Sequence, residues 1–275
     1  MRQSRSERWV SFVFLTLGGF LMALPFYYML VTSFKSNEEA AQPTVNLIVR
    51  EPTIKPYADL FDAGLIVQAT WNSFLIALPL TFGSMFFCLL AGYAFAKHRF
   101  PGKDALFLVL LSTMMIPGTV LLVPSFLLFR DLGWLDTWAP LIVPGLAGAF
   151  GVFLARQFVG KIPDSLIESA KIEGAGEWRI FYGIVMPLSK PVMATLAILT
   201  FLGSWNSFVG PLIILLSEDK YTLPLVVAML QGRFPGQENM QMAGAMVSIL
   251  PVLVIFFVFQ RQIVQSLASS GLKEG

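Results

Sequence analysis

The stretch Lys161 to Pro191, KIPDSLIESAKIEGAGEWRIFYGIVMPLSKP, mixes charged, small and apolar residues where the sequence on either side is almost purely apolar. Ser165 and Glu168 stand three apart, the spacing of a capping box in which a serine hydroxyl and a glutamate carboxylate each take an unpaired backbone N–H. This predicts a helix that starts at Ser165 and runs through Leu166, Ile167, Ala170 and Lys171. Gly174 then supplies a residue that accepts the left-handed conformation on which helices stop. A second helix is expected from near Glu177, through Trp178, Ile180, Phe181 and Ile184, to Pro187. The small residues Ser169, Ala170, Gly174, Ala175 and Gly176 let another protein's surface approach closely, so the segment reads as a docking loop.

Outward from this loop the chain is written for lipid. Of 275 residues 56% are hydrophobic and 13% charged, with a mean hydropathy of +0.70; soluble domains carry about 25% charged residues. Six runs lack any Asp, Glu, Lys, Arg or His: Trp9 to Phe34, Ala69 to Ala96, Ala105 to Phe129, Trp138 to Ala155, Pro191 to Ser217, and Met240 to Gln260. Each is long enough, at about 1.5 Å per residue, to cross roughly 30 Å of hydrocarbon as a helix. The expected fold is an all-α integral membrane protein of six transmembrane helices in a single domain, residues 1–275. The first run follows Arg2, Arg5 and Arg8 as a signal peptide would, but it exceeds the roughly 7 to 15 apolar residues of a signal core and reads as a retained helix. Pro25, Pro79, Pro117, Pro124, Pro144, Pro191, Pro211 and Pro251 lie in or beside the runs and predict kinks.

Positive residues next to spans stay in the cytoplasm, which gives the direction. With the N-terminus inside, thirteen of the nineteen Lys and Arg fall in cytoplasmic segments, among them Lys97, Arg99, Lys103, Arg156, Lys161, Lys171, Arg179 and Lys190. Both ends and the loop 161–190 are then cytoplasmic. The outer segments 35–68, 130–137 and 218–239 hold ten of the seventeen acidic residues. The first is long enough for a small external cap of irregular structure.

Several functions are excluded or disfavoured by what the residues lack. No Gly-x-x-x-x-Gly-Lys-Ser/Thr phosphate loop occurs, so a nucleotide that powered this chain would sit on another subunit. The apolar runs carry no titratable residue of the kind proton or ion coupling needs. The one histidine, His98, lies between Lys97 and Arg99 and reads as a surface residue with no metal site or catalytic triad around it. The single cysteine, Cys88, reads as packing, and a net charge of +2 gives no argument for nucleic acid. For a solute path, aromatic faces and amide groups are wanted, and Trp205, Asn206 and Asn72 supply them, with Ser73, Ser207 and Phe208 nearby. Such groups also serve plain helix packing. Trp-Asn-Ser-Phe occurs at 71–74 and again at 205–208, and reads as coincidence.

The loop resembles the EAA loop of ATP-binding-cassette importer permeases, here Glu168-Ser169-Ala170, Gly174 and Ile184-Val185-Met186-Pro187, with Ser169 for Ala and Met186 for Leu as departures. The likeness covers nearly the whole chain and is to the carbohydrate-uptake, MalG-like group, through Tyr93-Ala94-Phe95-Ala96, Arg99-Phe100-Pro101-Gly102-Lys103, Trp205-Asn206, Thr222-Leu223-Pro224-Leu225, and Gly271-Leu272-Lys273. The resemblance implies a permease in a bacterial inner membrane, paired with a second permease. Two ATPase subunits would bind ATP and Mg, and an external solute-binding protein would deliver sugar; this chain itself would hold no cofactor or metal and catalyse nothing. It also implies that Ser165, Glu168, Ser169, Ala170, Gly174, Ala175, Ile184 and Pro187 meet the ATPase, and that the tail residues Gly271, Leu272 and Lys273 touch it. The same architecture for glycerol phosphate or another solute is one alternative; a stand-alone carrier or channel is another.

Overall fold

The computed structural model describes residues 5–42 and 44–271, and every regular element among them is helical. In chain order the main helices are α1 (Arg5–Ser33), α2 (Leu65–Lys97), α3 (Lys103–Thr113), α4 (Leu122–Asp131), α5 (Ala149–Val159), α6 (Asp164–Ile172), α7 (Glu177–Leu188), α8 (Lys190–Trp205), α9 (Val209–Ile214), α10 (Leu223–Arg233) and α11 (Glu238–Gly271). Four helices are long and apolar enough to cross a membrane, and six if each of two sharply bent pairs is one crossing.

Three of the apolar runs and the helices part company: the run 138–155 is Ala139–Ile142, a tight turn at Val143–Gly145 and α5, which together make Ala139–Val159 the third of the four long candidates. The run 105–129 is cut between Thr113 and Gly118, and its two halves lie 90° apart. Pro117 stands in the cut with extended backbone, offering no N–H to continue a ladder. The run 191–217 also stops early, since α8 ends at Trp205, Asn206 is its C-cap, and α9 is a separate short helix. The other bend, of 77°, separates α7 from α8 at Ser189. Pro25, Pro79 and Pro251, by contrast, lie inside unbroken helices.

The chain packs as two units, Met1–Val67 with Val226–Leu250, and Gln68–Leu225 with Pro251–Gly275. In the first, the segment after α1 is a folded cap, with short helices at Asn37–Ala40 and Lys55–Asp62. Side chains holding backbone add there to buried apolar residues such as Ala40 and Leu60. Asn239 donates to the Lys35 carbonyl at 2.9 Å and the Asn37 side-chain oxygen at 2.8 Å. Buried Lys35 donates to the Asn46 carbonyl at 2.7 Å, and the Glu39 carboxylate accepts the backbone N–H of Arg50 at 3.0 Å.

In the second unit, small residues four apart let helices close on one another. Ser84, Cys88 and Gly92 form such a row on α2, and Gly151 and Ala155 on α5. A Cβ on Gly92 would stand 2.5 Å from the Ala155 Cβ and 2.7 Å from the Arg156 backbone nitrogen; one on Gly151 would stand 2.6 Å from the Cys88 sulfur. Without a hydrophobic drive inside lipid, this close contact is what holds helices together. Beneath the loop, Leu89, Tyr93, Ala155, Val159, Ile162, Ile167, Ile180, Phe181 and Val185 form one buried cluster, which fixes the loop to α2 and α5.

Candidate functional site

The docking-loop segment folds as helix, glycine turn, helix. Its start differs from the expected capping box: α6 begins at Asp164, its N-cap is Pro163, and no side chain caps it. Ser165 is therefore already inside the first turn, and Glu168 lies too far along to reach back to an N-cap. The start is set instead by Lys97 of α2, whose ammonium donates to the Ile162 carbonyl and, at 2.6 Å, to the Asp164 carboxylate. Asp164 is held below the usual carboxylate range by the hydrogen bond and charge of Lys97. The stop is as expected. Gly174 has φ +79°, its N–H donates to the Lys171 carbonyl at 3.0 Å, and the Ala175 N–H donates to the Ala170 carbonyl at 2.9 Å. These two bonds close a Schellman turn, which needs a residue at ease with positive φ.

α7 starts at Glu177 and widens into a π-helical stretch, Phe181–Val185, before Pro187. One extra residue in that turn puts Ile180, Phe181 and Val185 together on the buried cluster. The opposite side of the loop is left bare: Ile172 is 88% exposed, and Leu166, Trp178 and Tyr182 are exposed as well. Ser165, Glu168, Ser169 and Gly174 lie on the exposed surface, Ala170, Ala175 and Ile184 are half-buried, and Pro187 is exposed.

Glu177 is a group the sequence did not single out. One carboxylate oxygen accepts the Lys171 ammonium of α6 at 2.7 Å; the other accepts the Tyr93 hydroxyl of α2 at 2.9 Å and lies 3.1 Å from His98 Nε2. Its pKa is lowered, first by the Lys171 hydrogen bond, with Tyr93 and His98 adding and burial opposing. His98, expected as a plain surface residue, has its ring edge-on to Tyr93 at 4.8 Å and is half-buried.

The three solute-path candidates have different settings. Trp205 is 1% exposed, stacked on Phe201 at 5.5 Å and tilted against Phe74 at 4.8 Å. Asn72, 4% exposed, donates to the backbone carbonyls of Asp219 and Tyr221 at 2.8 and 3.0 Å. Asn206 alone of the three is exposed, with its amide donating back to the Leu202 carbonyl. The repeated tetrapeptides are brought together rather than merely repeated: Phe74 meets Trp205, and Ser73 and Ser207 line one cavity of about 250 Å³ with Thr200, Ser204 and Thr222. Of the tail candidates, Gly271 ends α11, whereas Leu272 and Lys273 lie outside the described residues.

A second polar cluster lies around Asp136, in the segment between α4 and α5. It adopts φ 56°, and its carboxylate accepts the N–H of Leu216 and Ser217 at 2.9 Å, the Ser217 hydroxyl at 2.6 Å and the Lys220 ammonium at 2.7 Å. Lys220 first, then Ser217, holds Asp136 well below its ordinary pKa of 3.8.

Residues 88–269 match the family of binding-protein-dependent transport system inner membrane components. The chain belongs to that family. This permease is 32% identical over 266 residues to the arabinooligosaccharides transport system permease protein AraQ of Halalkalibacterium halodurans, covering 94% of this chain and 95% of that one. It is 32% identical over 261 residues to the lactose transport system permease protein LacG of Rhizobium radiobacter, with 95% of each covered. To the sn-glycerol-3-phosphate transport system permease protein UgpE of Brucella abortus it is 28% identical, with 95% and 96% covered. Its fold matches a chain in a crystal structure of a bacterial ABC transporter involved in the import of the acidic polysaccharide alginate, with a TM-score of 0.82 and 25% identity, over 95% of this chain and 99% of that one. It is thus a multi-pass membrane permease of the ABC-importer type, a transport subunit and not an enzyme.

Proposed function

We propose that the chain forms half of a sugar pathway through a bacterial inner membrane, as one permease domain of six crossings with both ends in the cytoplasm. A second permease forms the other half. Two ATPases that hold ATP and Mg dock on the loop 161–190 from the cytoplasm, and an external binding protein presents the sugar. The observation that carries this reading is the bare side of the loop. Ile172, Leu166, Trp178 and Tyr182 stand in water above a fully packed base, and an apolar patch of that kind is the mark of a partner surface. Glu168, Ser169, Ala170 and Gly174, with Ser165, Ala175, Ile184 and Pro187, meet the ATPase along the same loop; the tail from Gly271 through Leu272 and Lys273 adds a second contact.

A neutral solute suits the residues better than glycerol phosphate, because the apolar runs hold no Lys, Arg or His to neutralise a phosphate. Asn206 and the hydroxyl-lined cavity of Ser73, Thr200, Ser204, Ser207 and Thr222 are the groups that can answer sugar hydroxyls. The test is reconstitution of the chain with its partners in vesicles, scoring ATP hydrolysis against a panel of binding-protein-loaded sugars. A sugar is expected to stimulate hydrolysis and be taken up. Uptake in vesicles without ATP would instead identify a stand-alone carrier, and stimulation by glycerol phosphate alone would move the substrate class.

A further inference from the structure

The last turn of α2 grips α6 at both ends. At the start of α6, Lys97, its side chain 7% exposed, holds the Ile162 carbonyl and the Asp164 carboxylate. At the far end the grip is indirect, through Glu177, which gives one oxygen to Lys171 in the last turn of α6 and the other to Tyr93 and His98. Lys97 and Tyr93 are four apart on one helix and so point the same way. Between the two ties lies the buried cluster, with Ile167 of α6, Leu89 and Tyr93 of α2 and Phe181 of α7 packed together.

The loop is entered from α5 and continues into α8, which leaves at a 77° bend, with Ser189 between it and α7. A sharp bend at a single residue transmits displacement along α8 poorly, whereas two charged ties and a packed core transmit it to α2 without slack. We propose that Glu177, Tyr93 and Lys97 are the positioning residues that make α6 and the cytoplasmic end of the second crossing move as one body, so that the ATPase drives α2 directly and α8 only through the bend. The inference rests on the transport reading above. Glu177 is the fork of this linkage: removing its charge frees α6 from α2 at one end and leaves the docking face of the loop in place.

The experiment uses the whole complex in vesicles. Tyr93→Phe removes one hydroxyl and keeps the ring against Phe181, and Glu177→Gln keeps the shape of the fork. Each is expected to lower the number of solute molecules carried per ATP by roughly fivefold, the worth of one hydrogen bond, with the ATPase still co-purifying. The double variant is expected to be no worse than the poorer single one, because both cut the same tie. Lys97→Met, which cuts the other tie, is expected to multiply the loss. Wild-type stoichiometry in both single variants, or effects of Tyr93→Phe and Glu177→Gln that multiply, would overturn the proposal.

A measurement independent of these variants places spin labels at Arg99 and Glu173 in a Cys88→Ala background. The distance between them is expected to stay constant when ATP binds, and a change in the otherwise unaltered complex would overturn it. A complex that hydrolyses ATP with no response to loaded binding protein would overturn the transport reading and this inference together. That result is distinct from a coupled complex whose α6 and α2 move apart.

Discussion

Gly174 is the residue on which the loop turns, and its demand is conformational. A side chain there meets no neighbour within 4 Å, so the cost of substitution is the positive φ of +79° alone. Gly174→Val should therefore cost about 1–2 kcal/mol of local stability, and Gly174→Asn clearly less; thermal unfolding of the purified complex ranks the two. If docking needs the turn, sugar-stimulated hydrolysis falls in the same order. Glu168 gives a sharper comparison because it caps nothing. Glu168→Gln and Glu168→Ala should leave stability alike, and any loss of stimulated hydrolysis measures a contact with the ATPase; two fully active variants would exclude that contact. At Asp136 the prediction concerns acid. Its pKa is lowered in the fold, so its stabilising contribution is whole above its ordinary value of 3.8 and fades as pH falls below it. Asp136→Asn should mimic that loss at neutral pH, seen as faster proteolysis between Ser217 and Lys220.

Helix α2 is the element on which the others depend, and the row Ser84, Cys88, Gly92 is its contact line. Gly92→Val puts carbon against the backbone of Arg156, which cannot step aside, and should destabilise by about 1–3 kcal/mol or more; a lowered melting temperature of the detergent-solubilised complex checks it. Gly18→Val, where nothing stands within 4 Å, is the matched control. How much of such architecture can be read beforehand depends on its cause. The apolar lengths are legible because lipid imposes them on composition, and the Gly174 turn is legible because few other residues tolerate its φ. The cut at Pro117 is not, since other prolines in equally apolar sequence, Pro25, Pro79 and Pro251, leave their helices whole. Nor is the start of α6, which Lys97, some 67 positions earlier, ties down in place of the local Ser-x-x-Glu spacing. Glu177 is illegible for the same reason: Tyr93 and His98 lie 84 and 79 positions away, and no periodicity relates them.

At the scale of the whole molecule, two of the polar clusters are tied to α2, and they differ in what they join. Around Asp136 and Lys220, connecting segments are tied to one another and, through Asn72, to α2. Around Glu177 and Lys97, the loop 161–190 is tied to the other end of that same helix. α2 is therefore held at both ends, which suits an element that carries displacement across a membrane. The right-angled cut between α3 and α4 has a different implication. Helices survive in hydrocarbon because each backbone polar group finds its partner internally, and an interrupted helix leaves several amides and carbonyls without one. In this chain alone the cut is uncovered, with Met115 84% exposed and Ile116 and Val120 also bare. Turn hydrogen bonds serve the amides of Met114, Met115, Ile116 and Val120, yet the break lies open, and non-helical backbone at membrane depth is tolerated only where protein or water covers it, so the solitary subunit is an incomplete solute of the bilayer. Expressed without its proposed partner permease it should be cleared by membrane proteases with a markedly shorter half-life, measurable by pulse-chase, and co-expression should restore it.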